Sequence, residues 1–316
     1  MEFLRFLEGI RVPVFNFFFS GVTYLGDEIM FIAVGLILYW CFEKRYAYYV
    51  LAVGLLNTLL NQTLKLAFRI PRPWVLDPDF TIVESARAAA TGYSFPSGHT
   101  QNAVGIFGAL GLVTEKKWLR AVFFALIILI PFSRMYLGVH TPLDVGAAFA
   151  VAAALSLALY PCFKDGERAE RSMPWVLSAV GICSAGYFLF ALLWNAPADT
   201  DAENLASGQR TAYIMLAVAA AIILAYILDK KVIRSDTGGS FLTQTVKVVP
   251  GLGLTLAIKA LLKAPLYAIV GETFLADGIR YFIVAAFASC VWPLTFPLIR
   301  KICEKKRVPA GDEKRG

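Results

Sequence analysis

Residues 119–138 read LRAVFFALIILIPFSRMYLG, and this stretch decides the fold class. Its apolar side chains cover every face of a helix rather than one stripe, which is typical of a helix buried on all sides. About 20 apolar residues are needed to cross a hydrocarbon core of about 30 Å. The stretch therefore predicts a transmembrane helix, with Arg120 and Arg134 near its two ends.

The composition of the whole chain agrees with a membrane protein. Of its 316 residues, 58% are hydrophobic and 17% are charged, whereas a soluble domain has about 45–50% and about 25%. Similar apolar stretches recur along the chain and predict an all-α integral membrane protein, a bundle of about nine transmembrane helices. The nine predicted spans lie near residues 28–42, 47–67, 99–114, 119–138, 141–162, 173–194, 210–228, 246–269 and 278–299.

The two ends of the chain differ from these spans. Residues 2–22 are rich in phenylalanine and broken by Pro13, so we predict an N-terminal interfacial helix along one membrane surface. A tenth span is the alternative for this segment. Residues 305–316 are polar, and we expect this tail to be disordered.

The charge distribution predicts an orientation. The net charge is +7, and in a membrane protein an excess of Lys and Arg indicates cytoplasmic loops and anionic headgroups rather than nucleic acid. The long 69–98 loop and the acidic 195–209 loop fall on the opposite side, so we expect both, and the N-terminus, to face outward. The compact chain favours a bacterial plasma membrane. The predicted cytoplasmic segments are residues 43–45, 115–120, 164–171, 230–234 and 300–305.

The chain contains two histidines, His99 and His140, each at a span end that is predicted to face outward. Histidine is the side chain best suited to exchange protons near neutral pH. After His140, Thr141 reads as a helix cap and Pro142 as a first-turn proline, so Asp144 falls about one turn from His140. A carboxylate there can accept the imidazole N–H and fix the tautomer of the ring. The alternative, a first-turn partner for the helix dipole, explains Asp144 but not His140.

Three cations and the predicted N-terminus of the helix that contains His99 are also expected to lie on the outward-facing side. Lys65, Arg72 and Arg134 are candidates for binding phosphate oxygens, although charged residues at span ends also snorkel to the membrane surface. Ser97 reads as the cap of the helix that contains His99, and Gly98 allows a close approach of the backbone. A helix N-terminus favours an anion, so these residues predict a phosphate site.

Three segments together resemble the signature motifs of a known family. They are K-x6-R-P at Lys65 to Pro73, P-S-G-H at Pro96 to His99, and S-R-x5-H-x3-D at Ser133 to Asp144. In this order they resemble the three motifs of the type 2 phosphatidic acid phosphatase superfamily. The family includes lipid phosphate phosphatases, polyprenyl diphosphate phosphatases, glucose-6-phosphatase and vanadium haloperoxidases. No position of the three motifs departs from the pattern.

The resemblance implies catalytic roles for three residues. His140 is expected to attack phosphorus and form a phosphohistidine, while Asp144 holds its ring. His99 is expected to protonate the leaving oxygen and then to activate water.

The resemblance also implies phosphate-binding roles for Lys65, Arg72 and Arg134, helped by Ser97 and the Gly98 amide. No metal and no other cofactor is implied. The motifs lie within residues 1–170, the predicted catalytic core, and residues 171–316 are predicted to be a C-terminal extension of four transmembrane helices with a short polar tail.

The function predicted from these observations is a metal-independent phosphatase acting on a lipid phosphate or prenyl diphosphate from the outer face. Its expected partners are a phosphorylated lipid or isoprenoid substrate and membrane lipids, not nucleic acid. One alternative is a phosphotransferase that passes the same phosphoryl group to an alcohol, and another is a phosphatase of a soluble sugar phosphate. An anion transporter, from another class, requires matched halves or broken helices, and the sequence shows no such repeat.

Two weaker signals accompany the motifs. Asn57 and Asn61 share the helix face of Lys65, and we expect them to bond a neighbouring helix rather than its ammonium. Lys259 and Lys263 share another face toward the outer end of the eighth span, with Arg280 on the same side. We interpret these three as snorkelling or lipid-contacting cations; a headgroup site or second phosphate site is the alternative.

Overall fold

The computed structural model describes residues 1–305, so residues 306–316, which make up most of the predicted disordered tail, lie outside the described part. Over the described range the chain folds into fourteen α-helices without a strand, which confirms the all-α prediction. Short 3-10 and π-helical turns connect some of them. The helices are α1 Glu2–Gly9, α2 Pro13–Thr23, α3 Glu28–Cys41, α4 Lys44–Phe68, α5 Pro73–Leu76, α6 Gly98–Val113, α7 Lys117–Tyr136, α8 Pro142–Phe163, α9 Gly166–Leu193, α10 Ala202–Leu228, α11 Phe241–Leu261, α12 Lys263–Val270, α13 Phe274–Ala286 and α14 Phe296–Lys305.

A multi-span membrane protein is confirmed, but the count of nine is not. Within residues 1–305, seven helical segments are long and apolar enough to cross a membrane, or up to eight if a bent pair counts as one span. The helices α3 and α6 have only 14 and 16 residues, or about 21 and 24 Å at about 1.5 Å per residue. Residues 103–111 of α6 are all buried, because α4, α7 and α8 surround them. Its apolar sequence therefore reflects burial in protein rather than contact with lipid.

The N-terminal segment forms two helices instead of one interfacial helix. Leu4 and Leu7 of α1 are buried in a cluster with residues of the 69–98 loop and of the end of α7. The helix α2 packs against α7 and leaves Phe17 85% exposed. The pair formed by Pro13–Gly26 and α3 is bent by 50°, so α2 is at most part of one broken span.

Three of the basic segments that were predicted to share a side meet at one end of the bundle. The Lys44 ammonium lies 2.6 Å from the Asp229 carboxylate, and Lys230 lies 3.0 Å from Glu170. The segments that follow α3, α8 and α10 therefore meet at this end.

The opposite end joins the two loops that were predicted to face outward. The backbone N–H of Asp201 donates to the hydroxyl of Tyr93 at 3.1 Å, which ties the 195–209 loop to the 69–98 loop. The assignment of this end to the extracytoplasmic side stays a prediction.

The C-terminal helices pack directly on the N-terminal ones. The helices α9 and α10 both contact α4, and the indole N–H of Trp40 in α3 donates to the Ala288 carbonyl at 2.9 Å. The division of the chain near residue 170 stays a prediction.

Candidate active site

The ends of four packed helices bring the predicted site residues together. Lys65 lies near the end of α4, His99 at the start of α6, Arg134 near the end of α7 and Asp144 in the first turn of α8. The side chains of Lys65, His99 and Arg134 are close enough to interact electrostatically with one another, as are Lys65 and Asp144. His140, just before α8, is close enough to both cations and to His99 to interact with them.

The pair of His140 and Asp144 differs from the predicted direct hydrogen bond. His140 Nδ1 lies 3.6 Å from Asp144 Oδ2, which is too far for a hydrogen bond. The same carboxylate oxygen accepts the backbone N–H of Thr141 at 2.7 Å, and Thr141 Oγ1 accepts the backbone N–H of Asp144 at 3.2 Å. Asp144 thus completes a capping box at the start of α8, so the alternative structural role applies to it as well.

Ser94 bridges the gap between these two residues. Its hydroxyl donates to Asp144 Oδ2 at 2.6 Å and lies 3.4 Å from His140 Nδ1, and the side chain is fully buried. A hydroxyl that donates to a carboxylate can still accept a hydrogen bond, so the Ser94 oxygen can accept one from the Nδ1–H of His140. This arrangement leaves the lone pair on Nε2.

Sequence reasoning did not identify Ser94. The signal that was available is a serine between Tyr93 and Phe95, immediately before the Pro-Ser-Gly-His segment. This local pattern does not reveal the partners of the hydroxyl, because His140 and Asp144 are 46 and 50 residues away in the sequence.

Arg72 faces the other ring nitrogen of His140. Its Nη1 lies 2.9 Å from His140 Nε2 and donates to the Val139 carbonyl at 3.0 Å. Its Nε and Nη2 donate to the carbonyls of Gly92 and Thr91 at 2.9 and 2.5 Å. The guanidinium is therefore fixed by backbone oxygens, with one donor beside the nitrogen that carries the lone pair.

The surroundings of His140 keep its ring neutral. Burial, reinforced by the positive charges of Arg72, Arg134 and Lys65, lowers the pKa of His140 well below the usual 6.5. At pH 7 the imidazole is therefore uncharged.

Arg134 offers hydrogen-bond donors that no described residue uses. Its side chain is fully buried, and Nη1 donates to Thr23 Oγ1 at 2.7 Å. Its Nε and Nη2 are buried and have no partner within residues 1–305. Buried donors without partners cost about 1–3 kcal/mol or more, and an anion between Arg134 and the other cations would satisfy them.

Ser97 caps the helix that carries His99. The Ser97 hydroxyl accepts the backbone N–H of Thr100 at 3.4 Å and its hydroxyl at 3.0 Å, and the Ser97 N–H donates to the Asp144 carbonyl at 3.1 Å. Gly98 begins α6, and a Cβ there would lie no closer than 3.8 Å to another residue, on Asn61. The capping prediction for Ser97 is thus confirmed, while direct phosphate contacts of Ser97 and Gly98 stay predictions.

Asn61 of α4 forms hydrogen bonds with the turn at residues 96–101, which leads into α6. Its amide N–H groups donate to the Pro96 carbonyl at 3.1 Å and to the Gln101 side chain, and within residues 1–305 the Lys65 ammonium donates no hydrogen bond to it. The structural interpretation of Asn61 is therefore confirmed. Asn57, one turn earlier, has no hydrogen-bond partner in the described part of the chain and packs against Gly105.

His99 stands beside the corner between α2 and α3. A Cβ added to Gly26 would lie 3.0 Å from the His99 carbonyl oxygen and 3.3 Å from its Cβ, so the backbone of this corner approaches α6 closely. Asn102 donates to the Gly26 carbonyl at 3.3 Å and holds the contact. No hydrogen bond within residues 1–305 occupies the His99 ring, which leaves it available to a ligand.

The sequence matches two family models. The model described as "PAP2 superfamily" covers residues 29–168, and the model described as "PAP2 superfamily phosphatase, transmembrane extension" covers residues 213–304. The chain belongs to the PAP2 superfamily. The family resemblance of the three motifs is therefore confirmed.

Curated relatives of this superfamily member come from animals and bacteria. It is 26% identical over 208 residues to sphingosine-1-phosphate phosphatase 1 of Mus musculus, covering 63% of this chain and 47% of the relative. It is 28% identical to phosphatidylglycerophosphatase B of Bacillus subtilis over 45% of this chain and 72% of the relative. It is 32% identical to undecaprenyl-diphosphatase BcrC of Bacillus subtilis over 40% of this chain and 65% of the relative. The chain thus spans about half the length of the mouse relative.

The unpartnered donors of Arg134 generate a binding prediction. Inorganic phosphate or orthovanadate should raise the unfolding temperature of the detergent-solubilised protein, because a ligand that binds only the folded state stabilises it. Arg134→Gln should weaken this binding about tenfold or more, in line with about 1.5–3 kcal/mol for a hydrogen bond to a charged group. The measurement is thermal unfolding across a phosphate titration.

Arg168→Gln is the matched control, because Arg168 is an exposed arginine at the start of α9 whose side chain pairs with Asp165. Equal phosphate stabilisation of both variants would contradict an anion site at Arg134.

Proposed function

We propose that this protein is a membrane-embedded phosphatase that hydrolyses a lipid phosphate or prenyl diphosphate through a phosphohistidine at His140. The observation that carries the proposal is the placement of the His140 ring, whose Nε2 lies 2.9 Å from Arg72 Nη1 and whose Nδ1 lies 3.4 Å from the Ser94 hydroxyl. Lys65 and Arg134 complete a group of three cations around it. A nucleophile surrounded by fixed positive charge is what phosphoryl transfer requires.

In the first step, the phosphate enters between the three cations and takes up the open donors of Arg134. The lone pair of His140 Nε2 forms a bond to phosphorus, and the bond from phosphorus to the leaving oxygen breaks. His99 gives its proton to that oxygen, so the product leaves as an alcohol or a phosphate monoester. The Nδ1–H of His140 stays hydrogen-bonded to the Ser94 hydroxyl. The Asp144 carboxylate, which accepts from that hydroxyl, stabilises the positive charge that develops on the ring.

In the second step, His99, now neutral, takes a proton from water. The water oxygen forms a bond to phosphorus, the bond to Nε2 breaks, and inorganic phosphate leaves. His99 ends with the proton that it took from water, as the first step of the next cycle requires. Burial and the positive charges of Arg134, Lys65 and Arg72 lower the pKa of His99 well below the usual 6.5, so we propose that the negative charge of the bound phosphate holds this proton on the ring. Because Lys65, Arg72 and Arg134 supply the positive charge that stabilises the phosphoryl oxygens, we propose that no metal ion is needed.

The substrate class follows from the setting of the site. The site lies at helix ends of a multi-span membrane protein, where a headgroup of a membrane lipid can reach it. The three curated relatives named above are a phosphatase of sphingosine 1-phosphate, a phosphatidylglycerophosphatase and an undecaprenyl-diphosphatase, which supports a lipid-linked phosphate as the substrate. The basic segments at the opposite end support an extracytoplasmic position of the site.

The direct test is phosphate release by the purified protein in EDTA, with a panel of lipid phosphates, prenyl diphosphates and glucose 6-phosphate. We expect release from at least one lipid substrate and a loss of at least about 10⁴-fold in His140→Ala, the size of effect seen when a catalytic nucleophile is removed. Adding an acceptor alcohol separates hydrolysis from phosphotransfer by the product formed. Release that persists in His140→Ala would rule out His140 as the nucleophile.

Ser94 should act as a positioning residue. In Ser94→Ala, we expect kcat to fall about tenfold or more, because a lost hydrogen bond of about 1.5 kcal/mol no longer fixes the tautomer of His140. KM should stay within about twofold, since the Ser94 hydroxyl bonds Asp144 and His140 and forms no hydrogen bond with the three cations in the described residues. The measurement is steady-state kinetics on the best substrate of the panel.

Ser85→Ala provides the comparison, because Ser85 is an exposed serine of the same loop that bonds only Ser20. A rise in KM with unchanged kcat in Ser94→Ala would show that Ser94 contributes to binding instead.

A further inference from the structure

An apolar cavity of about 180 Å³ lies between the N-terminal helices and the C-terminal extension. Its walls come from α3 and α4 on one side and from α10, α11 and α13 with its following turn on the other; Leu36, Leu55, Ile222 and Leu252 are typical wall residues. None of the active-site residues lines it. A cavity of about 150 Å³ lined by apolar side chains takes up benzene, so this one has room for roughly six carbons of a hydrocarbon chain.

One cation lines this otherwise apolar space, and a second stands beside it. The Lys259 ammonium lies 5.3 Å from the centre of the Tyr281 ring, and the Arg280 guanidinium lies 5.4 Å from the same ring. Both Lys259 and Tyr281 line the cavity. Two cations that share one aromatic ring therefore stand at the part of the cavity that is formed by the end of α11 and the middle of α13.

Arg280, the cation on α13, uses only some of its hydrogen-bond donors. Arg280 is 5% exposed, and its Nη2 donates to Asp277 at 2.6 Å. Its Nε is buried without a partner among the described residues. The Asp277 carboxylate is already shared, because Arg210 donates to it at 2.6 Å and the Tyr267 hydroxyl at 3.1 Å.

Lys259 has no carboxylate within 4 Å in residues 1–305, and Glu28 acts on it only at longer range. Of the carboxylates at this end, Asp277 is shared by Arg210 and Arg280, and Glu28, which has Asp27 nearby, forms no ion pair within 4 Å in residues 1–305. Lys259 is therefore a cation without a close carboxylate. A positive charge beside hydrocarbon raises the free energy of the folded protein unless a negative charge or hydrogen-bond acceptor lies close to it. An additional anion would balance this charge.

We propose that the C-terminal extension binds one anionic phospholipid, with part of one acyl chain in the cavity and its headgroup phosphate at Lys259 and Arg280. A basic pocket between membrane helices is a recognised way to hold an anionic headgroup. An apolar cavity directly behind the cations suits an amphiphile and not a free anion. The site is separate from the proposed phosphatase site and does not depend on that function.

The experiment measures lipid binding to the full chain by native mass spectrometry after delipidation. Wild-type protein should retain one tightly bound phosphatidylglycerol and should bind phosphatidylcholine at least about tenfold more weakly, because only the first headgroup carries net charge. Lys259→Gln should weaken phosphatidylglycerol binding about tenfold. Lys301→Gln, which removes an exposed lysine of α14, should leave the binding unchanged.

Two further variants locate the lipid. Arg134→Gln disables the anion site near His140 and should leave the tight phosphatidylglycerol in place. Ala285→Trp places a large side chain in the cavity wall and should weaken binding of a long-chain lipid while sparing a dibutyryl analogue. Variants are compared as monodisperse samples. Lys259→Gln, which removes the charge and keeps a polar side chain of similar size, decides the question if Ala285→Trp does not fold.

Equal binding of phosphatidylcholine, undiminished binding by Lys259→Gln, or loss of the lipid in Arg134→Gln would each overturn the proposal. The last of these results would assign the lipid to the site near His140.

Discussion

The concentration of positive charge around His140 is the constraint on which the rest of the structure depends. Lys65, Arg72 and Arg134 repel one another, and burial removes the water that would otherwise screen them. The protein offsets part of this cost with backbone carbonyls, three of which accept hydrogen bonds from Arg72. The Arg134 Nε and Nη2 have no partner in the described residues. A phosphate placed there would accept their hydrogen bonds and neutralise part of the positive charge.

The helical frame makes this arrangement possible because each charged residue stands at a helix end. There the backbone still has free carbonyl and N–H groups, whereas the middle of a membrane helix offers none. The loop from residue 69 to 98 supplies further oxygens, from Thr91 and Gly92, and the hydroxyl of Ser94. The helix α1 packs over part of this loop through Leu4 and Leu7, so the N-terminal segment supports the site without contributing a reacting group.

The sequence was sufficient to predict the all-α membrane fold and to identify the residues that converge. Three short motifs with fixed internal spacing point to the same helix ends, and His99 and His140 are the only histidines of the chain. The prediction of a direct hydrogen bond from His140 to Asp144 was wrong, because Asp144 Oδ2 instead accepts hydrogen bonds from the Thr141 N–H and the Ser94 hydroxyl. Spacing along a helix predicts that two side chains share a face, but not which competing donor occupies an oxygen.

Features that depend on three-dimensional burial could not be predicted. Ser94 is functionally informative only because it is fully buried between two ionisable groups. The apolar sequence of α6 resembles a span, yet its 16 residues are enclosed by other helices. The cavity beside Lys259 is formed by five helices that are distant in sequence, so the lysine alone could not reveal what lies behind it.

The central claim is that phosphorus forms a covalent bond to His140 Nε2. It is tested most directly by rapid acid-free quenching of the His99→Asn variant during turnover of a ³²P-labelled substrate with a good leaving group. Without His99 as a base, the attack of water on the phosphohistidine is slowed, while a good leaving group lets the first step proceed with little acid assistance. The account therefore predicts a labelled protein. The label should be stable in alkali, labile in acid, located by peptide mapping on the His140 peptide, and absent when His140 is also replaced. Turnover without any labelled protein, or a label on another residue, would contradict the account.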